Sequence, residues 1–314
     1  MRVIFMGTPD FSVGTLEAII EAGHEVVLVV TQPDKPKGRG NEIACSPVKE
    51  CALAHGIEVF QPVRIKEADN VEYLRKYNPD IIIVVAFGQI LPQSILDMAK
   101  YGCINVHASL LPKYRGAAPI QWAVINGEEI TGVTTMRMDI GVDTGDMIAK
   151  REVRLAEDET GGSLFDKLAK VGAQLLVETM EMITDGTAQY IPQDHSVATH
   201  TSMITKEFGE IDWSKSAKAI ECLIRGLNPW PSAYTFLDTK MLKIWKAAVV
   251  KDEDIPENAE DKEPGTVVAV TKESIYVKTG DGVLALLEVQ LQGKKRMACD
   301  AFLRGYHVEE GVRL

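Results

Sequence analysis

An asparagine and a histidine two positions apart, Asn105 and His107, close the apolar run CINVH at 103–107. On a strand that spacing puts both side chains on one face and Ile104 and Val106 on the other. A buried parallel strand normally reads as continuous Val, Ile and Leu, so two polar groups at its carboxyl end need a reason. The reason that fits is contact with a substrate in the crevice beyond the strand ends of an α/β sheet. A carboxamide donates N–H, and an imidazole donates or accepts through either ring nitrogen. Hydrogen-bonding and proton-transfer chemistry is therefore the expectation.

A carboxylate comes from DIGVDTGD at 139–146. Asp143 sits between Gly141 and Gly145, where backbone can approach a ligand closely. Asp139 and Asp146 flank it, and spacing alone does not choose among the three. The segment lacks the EF-hand ligand order and its closing glutamate. The remaining histidines (His24, His55, His195, His200 and His307) fall in turns or polar stretches and read as surface or capping residues. Five dispersed cysteines without a C-x-x-C pair suit a reducing cytoplasm and argue against a zinc site or a disulfide framework.

Positioning these groups falls to an alternation of strand and helix patterns, which predicts βαβ units on a mostly parallel sheet. Strands are expected at 2–7, 25–31, 57–61, 80–87 and 103–107. Helices are expected at 11–22, 47–55, 67–77 and 92–100, with Ser46 capping the second and Pro47 in its first turn. A helix at 117–126, two more strands and a long amphipathic helix at 160–185 complete a Rossmann-like, doubly wound domain over 1–190. A polar stretch, 191–208, reads as a linker. Beyond a short helix at 215–226, five short strands in about 60 residues predict a small OB-like β-barrel domain over 209–314, with Asp281-Gly282 as a hairpin turn. The first turn, GTPDF, is not G-x-G-x-x-G, so a dinucleotide is weakly supported.

Net charge is −11, an unpromising start for a nucleic-acid binder. Distribution alters that reading, because seven acids lie in 252–263 and leave the rest of the C-terminal region positive. Screening confines exposed charges to roughly 8 Å at physiological salt, so local patches decide. The loop QPDKPKGRGNEIACSPVK (32–49) carries Lys35, Lys37, Arg39 and Lys49 and is long for a βα connection. A basic loop beside a sheet crevice suits a polyanionic substrate. A second cluster, GKKRM at 293–297, holds Lys294, Lys295 and Arg296. No stretch is long and apolar enough to span a membrane, and the N-terminus lacks a secretory signal pattern, so a cytoplasmic protein is expected.

Taken together, GTPDF (7–11), TQPDKPKGRG…SPVK (31–49), CINVHASLLPKYRGAAPIQWAV (103–124), TGVTTMRMDIGVDTGDM (131–147), IDWSKSA (211–217), RGLNPWPSA (225–233) and TGDGVLALLEVQ (279–290) match a known pattern. The chain resembles the methionyl-tRNA formyltransferase family, a branch of the formyl-tetrahydrofolate-dependent transferases, over essentially its whole length. The N-x-H-x-S-L-L-P core with its later aspartate is common to that wider group, whereas the basic loop and NPWPSA mark the tRNA-directed branch. By position, the resemblance implies Asn105, His107 and Asp143 as the catalytic group. It implies Ser109, Leu110, Leu111 and Pro112 in the folate site, with Phe87, Gly88, Gln89 and Ile90 enclosing the pterin. Lys35, Lys37 and Arg39 would grip the acceptor arm of initiator tRNA, and Lys294, Lys295 and Arg296 would add phosphate contacts. The implied formyl donor is 10-formyltetrahydrofolate, with no metal, and the expected working unit is a monomer. Two other readings are a formyltransferase acting on an amino-sugar nucleotide and a non-catalytic RNA-binding protein.

Overall fold

A computed structural model describes residues 1–37 and 42–314. Contacts divide the chain into two units. The first comprises 1–119, 130–154 and 165–201, and the second comprises 120–129, 155–164 and 202–314.

The first unit opens with β1 (Arg2–Gly7), α1 (Asp10–Glu21) and β2 (Glu25–Val30). A short hairpin follows within the long basic loop, β3 (Lys35–Lys37) and β4 (Glu42–Ala44). Next come α2 (Pro47–Ala54), β5 (Val59–Phe60), α3 (Ala68–Arg75), β6 (Ile81–Val85), α4 (Gln93–Leu96) and β7 (Cys103–His107). After β8 (Arg115–Gly116) the chain passes through α5 (Pro119–Ile125), which falls almost wholly in the second unit, and continues as two long strands, β9 (Ile130–Arg137) and β10 (Met147–Arg154), ahead of α6 (Gly161–Thr184), whose first turn also falls in the second unit. The seven-stranded sheet runs β10-β9-β7-β6-β1-β2-β5. It is parallel from β5 to β7, while β9 and β10 add antiparallel.

Alternation along the central strands explains the site. Ile4 and Met6 of β1, Leu28 and Val30 of β2, and Ile82 and Val84 of β6 share one core cluster with Leu74 of α3 and Ile95 of α4. Cys103 at the start of β7 belongs to the same cluster. Asn105 and His107 continue that face beyond Cys103. Apolar side chains thus give way to polar ones at the strand's carboxyl end.

Two predicted elements are shorter than their patterns. The pattern at 92–100 yields only α4, because Tyr101 N–H bonds Asp80 C=O and Gly102 turns at φ +72° into β7. β5 keeps two residues at the sheet edge. Gly7 is needed for close approach, since a Cβ there would lie 2.8 Å from Ser12 Cβ and 3.0 Å from Val85 O. The expected linker divides: 191–201 packs within the first unit, with Gln193 only 5% exposed, and 202 onward belongs to the second.

In the second unit, after β11 (His200–Thr201) ends the first, α7 (Ala217–Gly226) precedes β12 (Ala233–Leu237), β13 (Lys240–Val249), β14 (Val267–Val270), β15 (Ile275–Lys278), β16 (Val283–Leu291) and β17 (Met297–Ala298). Five strands pair antiparallel in the order β12-β13-β16-β15-β14, with β17 on β16. Register shifts between Ile244 and Ala247 bend β13, as a barrel-like sheet requires. The closing helix α8 (Cys299–Gly305) was not read from the sequence; it buries only Cys299 and Phe302, too few for a visible period. An open groove of about 850 Å³ beside α8, lined by Thr271, Lys272, Arg304 and His307 among others, contains none of the expected site residues.

Candidate active site

β7 delivers Asn105 and His107 almost fully buried, 8% and 7% exposed. Asn105 pairs with Val84 of β6 and Met136 of β9, so the strand is clamped on both sides. The Asn105 carboxamide has no hydrogen-bond partner among the described residues. Its polar atoms keep some solvent access, so the amide is open to a ligand.

His107 Nε2 lies 2.9 Å from Tyr114 C=O. A carbonyl only accepts, so Nε2 carries the proton and Nδ1 is the free nitrogen of the neutral ring. Nδ1 faces Asp143 Oδ2 at 3.6 Å. That gap exceeds a hydrogen bond and closes with a small movement or one bridging water. Two lone pairs facing each other repel, so a proton placed between them is held by both partners.

The structure separates the three aspartates that spacing could not. Asp139 folds back on its own turn, accepting from Gly141 N and Thr144 Oγ1. Asp146 contributes its backbone carbonyl to Arg137 N. Only Asp143 approaches His107. It does so from the left-handed region, φ +54°, which costs a residue with a Cβ about 1–2 kcal/mol. Three contacts hold it there. Gly116 N donates to Asp143 Oδ2 at 2.8 Å, and Gln193 Nε2 donates to the carbonyls of Asp143 and Gly145 at 2.9 and 2.8 Å. Arg115 grips Gln193 Oε1 through Nε and Nη2 at 3.0 and 2.7 Å, and its Nη1 lies 3.2 Å from His195 Nδ1. Sequence reasoning missed all three supports. Arg115 and Gln193 carry no local signal, and His195 read as a surface residue.

Of the Ser109–Pro112 group, Ser109 is spent internally: its hydroxyl donates to Lys113 O and its carbonyl accepts from Thr134 Oγ1. Leu111 N–H reaches the same Thr134 hydroxyl, and Leu111 packs on Met136 and Met147. Lys150 Nζ donates to Leu111 C=O, and partial burial pushes its ammonium pKa down. Leu110 stands half-buried, and the Leu111–Pro112 peptide bond is cis. In the other loop, Phe87 lies in the core beneath Ala86 and Gly88, both at positive φ. Gln89 ties the loop to its neighbour through Ile65 N and Pro62 O, while Ile90 is 76% exposed. Ile140 and Val142 of the Asp143 loop are also exposed. An unpaired amide together with exposed apolar loop tips fits a flat, partly polar ring better than a charged ligand.

Of the basic residues, Lys35 is exposed on β3, Arg39 lies outside the described residues, and the Lys37 side chain is likewise not described. Lys49 is committed to Asp34 at 2.5 Å and Gln61 at 2.8 Å. In the second unit Lys294 and Lys295 are exposed. Arg296 instead forms a two-armed pair with Glu288, both contacts 2.6 Å, and covers the Trp245 ring at 4.6 Å.

Comparison with known proteins adds to this geometry. A family model described as formyl transferase matches residues 1–180, and its C-terminal domain model matches 203–307. The chain belongs to the formyl transferase family. A methionyl-tRNA formyltransferase of Agathobacter rectalis is 73% identical over 311 residues, covering 99% of this chain and 98% of that protein. Another, from Clostridioides difficile, is 49% identical over the full length of both. Among solved structures, an N-formyltransferase from Helicobacter canadensis, in complex with folinic acid and dTDP-3-aminofucose, aligns with a TM-score of 0.66 at 18% identity. It covers 91% of this chain and 98% of its own. HypX from Aquifex aeolicus, in complex with tetrahydrofolic acid, aligns with a TM-score of 0.61 at 18% identity over 100% of this chain and 51% of that one. Those two likenesses establish the formyl transferase fold.

Proposed function

We propose that this chain transfers the formyl group of 10-formyltetrahydrofolate to the α-amine of methionyl-initiator-tRNA, for translation initiation. One observation carries the chemistry: a largely buried Asn105, its amide unpartnered and still open to a ligand, beside a His107–Asp143 pair at the end of β7. The amide is what a formyl oxygen needs as it gains negative charge. The relatives at 49% and 73% identity favour tRNA as acceptor.

An α-amine titrates near pH 8, and an ester lowers that further, so much of it is neutral without a strong base. The amine nitrogen attacks the formyl carbon and the carbonyl electrons move to oxygen. Asn105 donates to that oxyanion, a contribution of about 3 kcal/mol for one preorganised donor. The new C–N bond leaves an extra proton on the incoming nitrogen, and the departing folate nitrogen needs one. His107 and Asp143, placed to share a proton, pass it between the two, which is worth roughly 10²–10⁴ in rate. The C–N10 bond then breaks, with no net change in protons.

The loops around Ser109–Pro112 and Phe87–Ile90 are proposed to hold the folate, Leu110 and Ile90 through their exposed apolar surface. Ser109, Leu111, Pro112, Phe87, Gly88 and Gln89 would shape the backbone of that site. Lys35, Lys37 and Arg39 are proposed to meet tRNA phosphates. In the second unit, Lys294 and Lys295 add charge beside Lys243, which lies 5.7 Å from the Trp245 ring. Arg296 contributes by positioning, because Glu288 already neutralises it.

The deciding assay offers the protein a 10-formyl donor with either methionyl-initiator-tRNA or an amino-sugar nucleotide. Formylation of the tRNA alone is expected. Formylation of the sugar alone would overturn the acceptor, and formylation of neither would favour a non-catalytic RNA-binding role.

A further inference from the structure

We propose that Glu17, Cys51 and His55 form a binding site for a zinc-class divalent cation that clasps α1 to α2. The carboxylate, thiol and imidazole each offer one ligand atom, and these atoms lie within 4.8 Å of one another. It is the one group of three or more such side chains found among the described residues. None of the three makes a side-chain hydrogen bond or ion pair among those residues, so no internal partner must be given up.

The spacing fits the chemistry. Cys51 and His55 are four apart on one face of α2, and Glu17 projects from α1, which packs against it. A tetrahedral ion with bonds of 2.0–2.3 Å requires ligand atoms about 3.5 Å apart. Glu17 and His55 are exposed and free to close that difference by rotamer changes, while half-buried Cys51 fixes the centre. One sulfur, one imidazole nitrogen and one carboxylate oxygen suit zinc or cobalt better than magnesium or calcium, which demand oxygen shells. Water completes the fourth position. His55 also occupies the C-cap of α2, where the last carbonyls favour a cation.

Burial, and then Glu17, raise the Cys51 thiol pKa. That disfavours a free thiolate nucleophile or redox sensor, yet a bound cation replaces the proton directly. The formyl-transfer site uses none of these residues. A cation here would fasten the end of α2, whose start is set by Ser46, bonded at 2.8 Å to Thr31. Ser46 closes the basic 32–49 loop, so the clasp would stiffen the base of that loop.

The test uses the full chain, stripped with chelator and kept reduced, and titrated with Co²⁺. A near-ultraviolet thiolate-to-cobalt band saturating at one equivalent and displaced by Zn²⁺ is expected. Cys51→Ser should abolish it, and His55→Ala and Glu17→Gln should weaken it. Cys45→Ser, removing a nearby half-buried thiol, should leave it intact. Zn²⁺ should raise the melting temperature of the parent and not of Cys51→Ser, with the two metal-free proteins melting alike. Should Cys51→Ser unfold, Glu17→Gln carries the same comparison. No band at equimolar Co²⁺, or a band unchanged by loss of Cys51 or Glu17, overturns the site.

Discussion

Gln193 donates its side-chain amide to the backbone carbonyl of Asp143 at 2.9 Å, across fifty residues of sequence. The same amide reaches Gly145 O, and buried Arg115 holds the other end of the side chain. A loop residue is thereby kept in a left-handed conformation with its carboxylate aimed at His107. Gln193 touches no reacting atom in this arrangement; it acts through Asp143.

Gln193→Ala should leave one buried carbonyl and one partly buried carbonyl unpaired and let the Asp143 loop relax. Leaving buried groups unsatisfied costs about 1–3 kcal/mol, so kcat should fall roughly 10- to 100-fold. The KM for tRNA should hold. Steady-state kinetics and a melting curve check this, and an unchanged kcat would remove Gln193 from the support of the site.

Asp143→Asn keeps an acceptor for Gly116 N and therefore the loop, but removes the charge facing Nδ1. It should lower kcat about 10²–10⁴-fold with the melting temperature nearly intact. Asn105→Ala should cost about 10²–10³ in kcat. Single-turnover formylation with tRNA bound separates either loss from weakened binding.

Arg39→Ala and Lys35→Ala should raise the KM for tRNA while folate binding stays the same. Each lost phosphate contact should flatten the slope of log affinity against log salt by about 0.7–0.9. Filter binding at several salt concentrations measures it. Identical slopes for variant and parent would count against the basic loop as a phosphate grip.

The Glu288–Arg296 pair carries a pH dependence. Hydrogen bonding from Arg296 holds the Glu288 carboxyl below its ordinary range. A depressed carboxylate contributes stability that is present above its unfolded value and lost as pH falls through the lower folded one. Discounted for exposure, the pair is worth roughly 0.5 kcal/mol. Glu288→Gln should therefore be less stable than the parent at neutral pH and indistinguishable from it in acid, by urea unfolding. A gap that persists in acid would assign the loss to packing on Trp245 instead.

Much of the frame was legible because it rests on local rules. The long amphipathic pattern at 160–185 became α6, with the backbone N–H of Thr160 and of Ser163 each donating to the other's hydroxyl at its start. Ser46 caps α2 as its type and position predict. Elements too short to show a period were harder to see, such as α8, which buries two residues, and the three-residue strands β3 and β4.

From the linear chain alone came the alternation that builds the sheet, the shared face of Asn105 and His107, and the turn supplying a carboxylate. Those follow from side-chain period and residue type, which are properties of a few consecutive residues. The folded molecule decided which aspartate reaches the imidazole, which ring nitrogen is free, and that Arg115 and Gln193 hold the pair in place. Contacts spanning 7 to 80 residues make those choices, and no side-chain period encodes a contact whose two ends are set by separate strands and loops.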